Sequence, residues 1–178
     1  MKKALLISDS HNQNELMMAV IEYYSDVNAI FHMGDIGNAR PIVESKANCL
    51  TYMVKGNTDY DFELKDSVSI DFYGKRIVAT HGHRYTEYGV SDNLVYFGRE
   101  NNADVLLFGH IHRPVLCEAG GLIICNPGSI SRPRQGRECT FAILELDDET
   151  HDNRDISIVH YSADIDIHNK LVIKRFEL

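Results

Sequence analysis

Apolar and polar positions along the chain fall into short blocks with two different periods. Positions 3–8 are almost continuously apolar up to Asp9, which predicts a strand buried on both faces. Positions 14–24 carry Leu16, Met17, Val20, Ile21 and Tyr24 at the spacing of an amphipathic helix. Strands are predicted at 29–33 and 50–54, with a short helix at 40–46 between them and Pro41 near its start. The runs 67–72 and 76–80 flank Tyr73-Gly74-Lys75 and predict a hairpin. Positions 91–101 predict a helix with Leu94, Val95 and Phe97 on one side. A strand comes next at 104–108, then 115–118 and 122–125 form a hairpin about Gly120-Gly121. Two more strands are predicted at 140–146 and 156–161, and the tail 171–176 is weakly strand-like. The polar stretch 151–154 predicts a loop.

Early β-α-β units succeeded by hairpins predict a mixed sheet system covered by helices. No internal repeat, low-complexity tract or linker divides the chain, so 1–178 is expected to be one domain. The 44% hydrophobic and 25% charged fractions are those of a soluble globular protein. A net charge of -8 argues against non-specific nucleic-acid binding, and no stable nucleic-acid complex is expected. The apolar stretch 4–7 is too short for a signal peptide. No run approaches the ~18 apolar residues of a membrane helix, so no membrane association is expected. Cys49, Cys117, Cys125 and Cys139 show no CxxC spacing and read as core thiols. These features together predict a cytoplasmic protein.

The chemistry lies at the ends of the strands. Five predicted strands end in Asp9-Ser10-His11, Gly34-Asp35, Gly56-Asn57-Thr58-Asp59, His81-Gly82-His83 and Gly109-His110-Ile111-His112. Taken singly, Asp9 could cap a helix, the Gly-Asp and Gly-Asn pairs could be turns, and the histidines could be satisfied polar residues. Taken together, they place metal-type ligands at one sheet edge, where open α/β sheets bind ligands. His110 and His112 are two residues apart and would face one point if the strand continued through them. His32, His151, His160 and His168 have no such company and read as structural or exposed.

Carboxylate, imidazole and amide donors suit manganese, iron, cobalt, nickel or zinc. Asp9, His11, Asp35, Asn57, His81, His110 and His112 are too many for one closed zinc site, which takes four ligands. Two divalent ions sharing one carboxylate account for the number, and Asp35 is the natural bridge.

In order and roughly in spacing, these five motifs resemble the signature of calcineurin-like metallophosphoesterases. Asn126-Pro127-Gly128-Ser129 and the short chain look like the small prokaryotic phosphodiesterase branch. The resemblance implies an α/β fold, a four-layered α/β/β/α sandwich of two mixed sheets flanked by helices. It implies that Asp9, His11, Asp35 and His112 hold one ion and that Asp35, Asn57, His81 and His110 hold the other, with manganese the expected metal. The implied activity is hydrolysis of a small phosphodiester by in-line attack of a hydroxide bridging the ions. Asn57, Thr58 and His83 are the expected catalytic positions, His83 as a substrate contact or as a purely structural residue.

One departure matters. Many members carry histidine where this chain has Thr58, and a threonine hydroxyl has no useful acidity near neutral pH. General-acid help, typically about 10²–10⁴-fold, is then missing from this position, and either a preference for good leaving groups or a donor from elsewhere is expected. The Arg132-Pro133-Arg134 run reads first as a solvated basic loop, although guanidinium groups suit phosphate. A homodimer is the expected oligomer. The alternative is a scaffold of the same fold, like the retromer subunit, which has lost part of the motif. A DNA nuclease of the same superfamily fits the acidic charge less well.

Overall fold

The computed structural model describes residues 1–134, 138–147 and 156–178. In chain order the elements are β1 (Lys2–Ile7), α1 (Asn14–Tyr23), β2 (Ala29–His32), α2 (Arg40–Lys46), β3 (Leu50–Met53), β4 (Ser67–Phe72) and β5 (Lys75–Thr80). Then come α3 (Asp92–Glu100), β6 (Val105–Leu107), β7 (Pro114–Ala119), β8 (Leu122–Pro127), β9 (Cys139–Leu146), β10 (Ile156–Ile165) and β11 (Leu171–Arg175).

Two mixed sheets result. One has the order β11-β10-β9-β1-β2-β3 and the other β4-β5-β6-β8-β7. Strands β1, β2 and β3 run parallel, as do β5, β6 and β8. Alternation along β1 explains the layering. Leu6 packs between the sheets with Phe31, Ala79, Leu107 and Leu144. Leu5 and Ile7, on the other face, pack with Met17 and Val20 of α1 and Val43 of α2. Leu106 and Phe108 meet Leu94 of α3 on the outer face of the second sheet. The layers are therefore helices, sheet, sheet, helix, the α/β sandwich expected. Leu5, Leu6 and Ile7 have no exposed surface, which is why β1 shows no polar alternation.

Local signals set the boundaries. Ser91 caps α3, its Oγ accepting the Leu94 N–H at 3.2 Å. Tyr73 and Gly74, with φ of 52° and 83°, form the turn between β4 and β5. Such turns place both central residues at positive φ, matching the strand twist. Strand β10 runs four residues beyond the expected 156–161 because it pairs with β9 on one edge and β11 on the other. The loop expected at 151–154, including His151, lies outside the described residues.

Candidate metal centre

The five motif segments come directly after β1, β2, β3, β5 and β6, so they gather where the carboxyl ends of the two sheets meet. They are also stitched to one another. The Asp9 N–H donates to Gly34 O, His11 N–H to Asp35 O and Gly109 N–H to His81 O, at 2.8–3.0 Å. Bonds between the two sheets include His110 N–H to Asp9 Oδ2 at 3.1 Å and His81 Nδ1 to Met33 O at 2.6 Å.

The strand alternation invoked for His110 and His112 does not hold. Strand β6 ends at Leu107, and both histidines lie beyond it in left-handed backbone, with φ of 69° and 55°. Asp9, His11 and Asp35 share that conformation, with φ of 56°, 46° and 53°. Left-handed backbone costs an L-residue roughly 1–2 kcal/mol. Five strained residues in one pocket persist because the surrounding hydrogen bonds over-determine them.

The side chains form two groups that share one oxygen. Asp9, His11, Asp35 and His112 each offer a ligand atom, all within 4.8 Å of one another. In this group Nε2 of His112 lies 3.1 Å from Nε2 of His11 and 3.2 Å from Oδ1 of Asp9. In the second group Oδ1 of Asn57 lies 3.0 Å from Nε2 of His81 and 3.1 Å from Nδ1 of His110. Asp35 Oδ2 stands 3.6 Å from Nε2 of both His11 and His81.

These contacts test whether the residues fit a cation. Nδ1 of His112 donates to Arg132 O at 2.7 Å, and Nδ1 of His81 donates to Met33 O. With Nδ1 committed to a carbonyl, each ring turns its Nε2 inward, where it can serve as a ligand. Nε2 of His81 faces the Asn57 carbonyl oxygen, a second potential ligand atom, at 3.0 Å. Asp9 Oδ1 is buried without an aligned hydrogen bond. Converging ligand atoms and an orphaned carboxylate oxygen are what a cation satisfies, and the nitrogen and oxygen donors suit a borderline divalent metal.

Protonation points the same way. Burial holds His11, His83 and His110 below the ordinary histidine range. Burial alone would raise Asp9 and lower His112. Their mutual contact outweighs it, holding the carboxyl down and the imidazole up.

His83 stands apart from both groups. Its ring centroid is 5.3 Å from that of His81 and 6.2 Å from that of His110, and its Nδ1 is buried without a partner. The Thr58 side chain is exposed, and its backbone N–H donates to Asp35 Oδ1 at 2.9 Å. Position 58 thus orients the carboxylate through the main chain, whatever side chain it bears. His160 and His32 are buried and hydrogen-bonded, to Asn126 O at 2.8 Å and Ser10 Oγ at 3.1 Å, while His168 is exposed.

Several supporting residues were not evident from the sequence. Ser8 Oγ donates to Asp9 Oδ2 at 2.5 Å, Ser129 and Ser131 each donate to Asp9 O, and Asn126 Nδ2 donates to Gly109 O. Asn126 and Ser129 had a sequence signal in the Asn-Pro-Gly-Ser run, whereas Ser8 and Ser131 had none. Asp59 is buried and clamps two ligand loops, accepting from Gly37 N–H and Gly56 N–H at 2.8 Å each. Asp59→Asn would set an amide NH₂ against one of those N–H groups. It should weaken metal affinity by about 10–100-fold, read by metal titration, with every ligand intact.

His32 gives the centre's surroundings a pH dependence. Burial lowers its pKa from 6.5 to about 4. The unfolded chain takes up this proton near pH 6.5 and the folded protein resists it. Stability is therefore lost as pH falls from 6.5 toward about 4. Denaturation midpoints at pH 7 and pH 5 should differ by less in His32→Gln than in the native protein.

Fold and centre together define a class: an α/β/β/α protein with an imidazole and carboxylate cluster where its two sheets end. Residues 1–149 match the calcineurin-like phosphoesterase superfamily domain, and the chain belongs to that superfamily. It is 34% identical over 148 residues to the probable metallophosphoesterase YsnB of Bacillus subtilis, covering 82% of this chain and 85% of that one. A probable metallophosphoesterase of Methanothermobacter thermautotrophicus is 32% identical over 152 residues, covering 83% and 87%. Among solved structures, a conserved uncharacterized Streptococcus pneumoniae protein with a predicted phosphoesterase assignment superposes with a TM-score of 0.76. It is 28% identical, and the match covers 98% of this chain and 97% of that one. Entamoeba histolytica Vps29 bound to zinc superposes with a TM-score of 0.72 at 21% identity, covering 98% of each, a likeness of fold.

Proposed function

We propose that the protein is a phosphodiesterase dependent on two divalent ions. The observation that carries this reading is Asp35 Oδ2, equidistant at 3.6 Å from Nε2 of His11 and of His81. In this reading Asp9, His11, Asp35 and His112 hold one ion, and Asp35, Asn57, His81 and His110 hold the other. When bound, such a pair supplies Lewis acidity and lowers the pKa of water to about 7. Two carboxylates offset only half the charge of two divalent ions, so the pocket attracts phosphate although the chain carries -8. No general base is then required of the protein. His83, beside both His81 and His110, is positioned to meet the substrate. The Thr58 hydroxyl is a poor acid, which favours esters with good leaving groups.

A second reading, a scaffold of the same fold, is supported by the likeness to Vps29. A screen of metal-stripped protein separates the two. It would be reloaded with manganese, zinc, iron, cobalt or nickel. Substrates would be bis(4-nitrophenyl) phosphate, 4-nitrophenyl phosphate and the 2′,3′- and 3′,5′-cyclic nucleotides. The phosphodiesterase reading expects the bis-aryl ester to turn over fastest, with manganese. Background rates with every ion would favour the scaffold.

A further inference from the structure

We propose that Arg132 and Arg134 form a subsite for a second phosphate group, carried by the substrate beyond the phosphodiester that is cleaved. The proposal rests on the phosphodiesterase reading and names its substrate class.

The first ground is placement. Segment 129–134 is fastened to the ligands of the first group. Ser129 Oγ and Ser131 Oγ both donate to Asp9 O at 2.8 Å. The Arg132 N–H donates to Ser129 Oγ at 2.8 Å, and the Arg132 carbonyl accepts from His112 Nδ1 at 2.7 Å. The Arg134 N–H reaches His112 O at 3.4 Å. The backbone bonds that orient His112 therefore also set both arginines beside it. Pro133 stiffens the pair by fixing its own φ and restricting Arg132.

The second ground is charge. The main chain of Arg132 and of Arg134 is hydrogen-bonded to His112, so both positive charges are tethered at the edge of the centre. Both side chains are exposed, and neither pairs with a carboxylate among the described residues. Arg40, by contrast, contacts Asp61, Glu63 and Glu44, and Arg84 contacts Asp66. In a chain with 26 acidic and 18 basic residues, two uncompensated guanidiniums at the rim form a local anion field.

The third ground is the division of labour. In the proposed mechanism the charge of the scissile phosphate is met by the two ions that Asp35 joins. The arginines are not among the ligands and are joined to the centre only through the main chain beside His112, which leaves their side chains available to a further group of the substrate. Guanidinium forks match the tetrahedral face of a phosphate and favour two charge-assisted bonds.

The test uses two esters that differ only at the remote position: thymidine 5′-(4-nitrophenyl phosphate) with and without a 3′-phosphate. In the metal-loaded native protein, kcat/KM should favour the 3′-phosphorylated ester by about tenfold or more. That preference should shrink when ionic strength rises from about 50 to 300 mM. R132Q/R134Q should erase it. A native preference near unity overturns the proposal. So does an equal loss on both esters in the variant, which would mean that the arginines grip the scissile phosphate. If neither ester turns over with any metal, the phosphodiesterase reading fails separately. Binding of thymidine 3′,5′-bisphosphate against thymidine 5′-monophosphate then decides. Tighter binding of the bisphosphate by native protein alone supports the subsite, and any other pattern overturns it.

Discussion

Asp35→Asn should lower turnover of bis(4-nitrophenyl) phosphate by about 10³-fold, roughly 4 kcal/mol of lost Lewis-acid stabilisation. The substitution is isosteric, so the fold has no reason to yield. The two carboxylate oxygens have separate tasks. Oδ1 accepts the Thr58 N–H at 2.9 Å, and Oδ2 faces His11 and His81. An amide can keep the first task only by turning its NH₂ toward the imidazoles, where a donor cannot ligate a cation. The opposite rotamer sets that NH₂ against the Thr58 N–H. The first rotamer loses the shared oxygen and the second keeps only a neutral amide oxygen, a weak bridge, so on the two-ion reading elemental analysis should find one ion per chain no longer retained. A variant that keeps both ions and comes within about tenfold of native turnover would remove Asp35 from the bridging role.

Gly109→Ala is expected to damage the centre without changing a ligand. A β-carbon built at Gly109 meets Met33 O at 2.7 Å, Asp9 Oδ2 at 2.9 Å and Ser8 Oγ closer still. All three belong to the wall that orients Asp9. None is the free end of a flexible chain, so the collision must move β6 away from β1. Overpacking of this kind costs about 1–3 kcal/mol. A displacement near 1 Å at a catalytic centre costs about 10²-fold in rate. Denaturant titration should register the first effect, and kcat/KM with metal affinity the second. Gly89→Ala is the control, because nothing lies within 4 Å of the added carbon there. Equal behaviour of the two variants would mean that the sheets adjust to Gly109→Ala freely.

The elements themselves were legible wherever burial kept to a simple period. The helical stripe at 14–24 and the apolar run at 3–8 correspond to α1 and β1 within two residues at either end. Hairpin turns at Tyr73-Gly74 and Gly120-Gly121 were legible because positive φ narrows the choice of residues. The length of β10 was not, because its last residues are held by pairing with β11, a strand with a weak pattern of its own.

For the centre the division is sharper. The chain alone determined which side chains end the strands, and with them the donor types and the family signature, since a strand's end is fixed by local apolar pattern. Only the packed molecule decided how those donors meet. Asp35 serves two groups because the loops after β1, β3 and β5 close around it. His110 and His112 converge through left-handed backbone, which strand alternation would not give. Asp59, Ser129 and Asn126 gained their roles from partners far off in sequence. Period and propensity report a residue's neighbours along the chain, whereas ligand geometry depends on contacts between the sheets, made only when their shared core is buried.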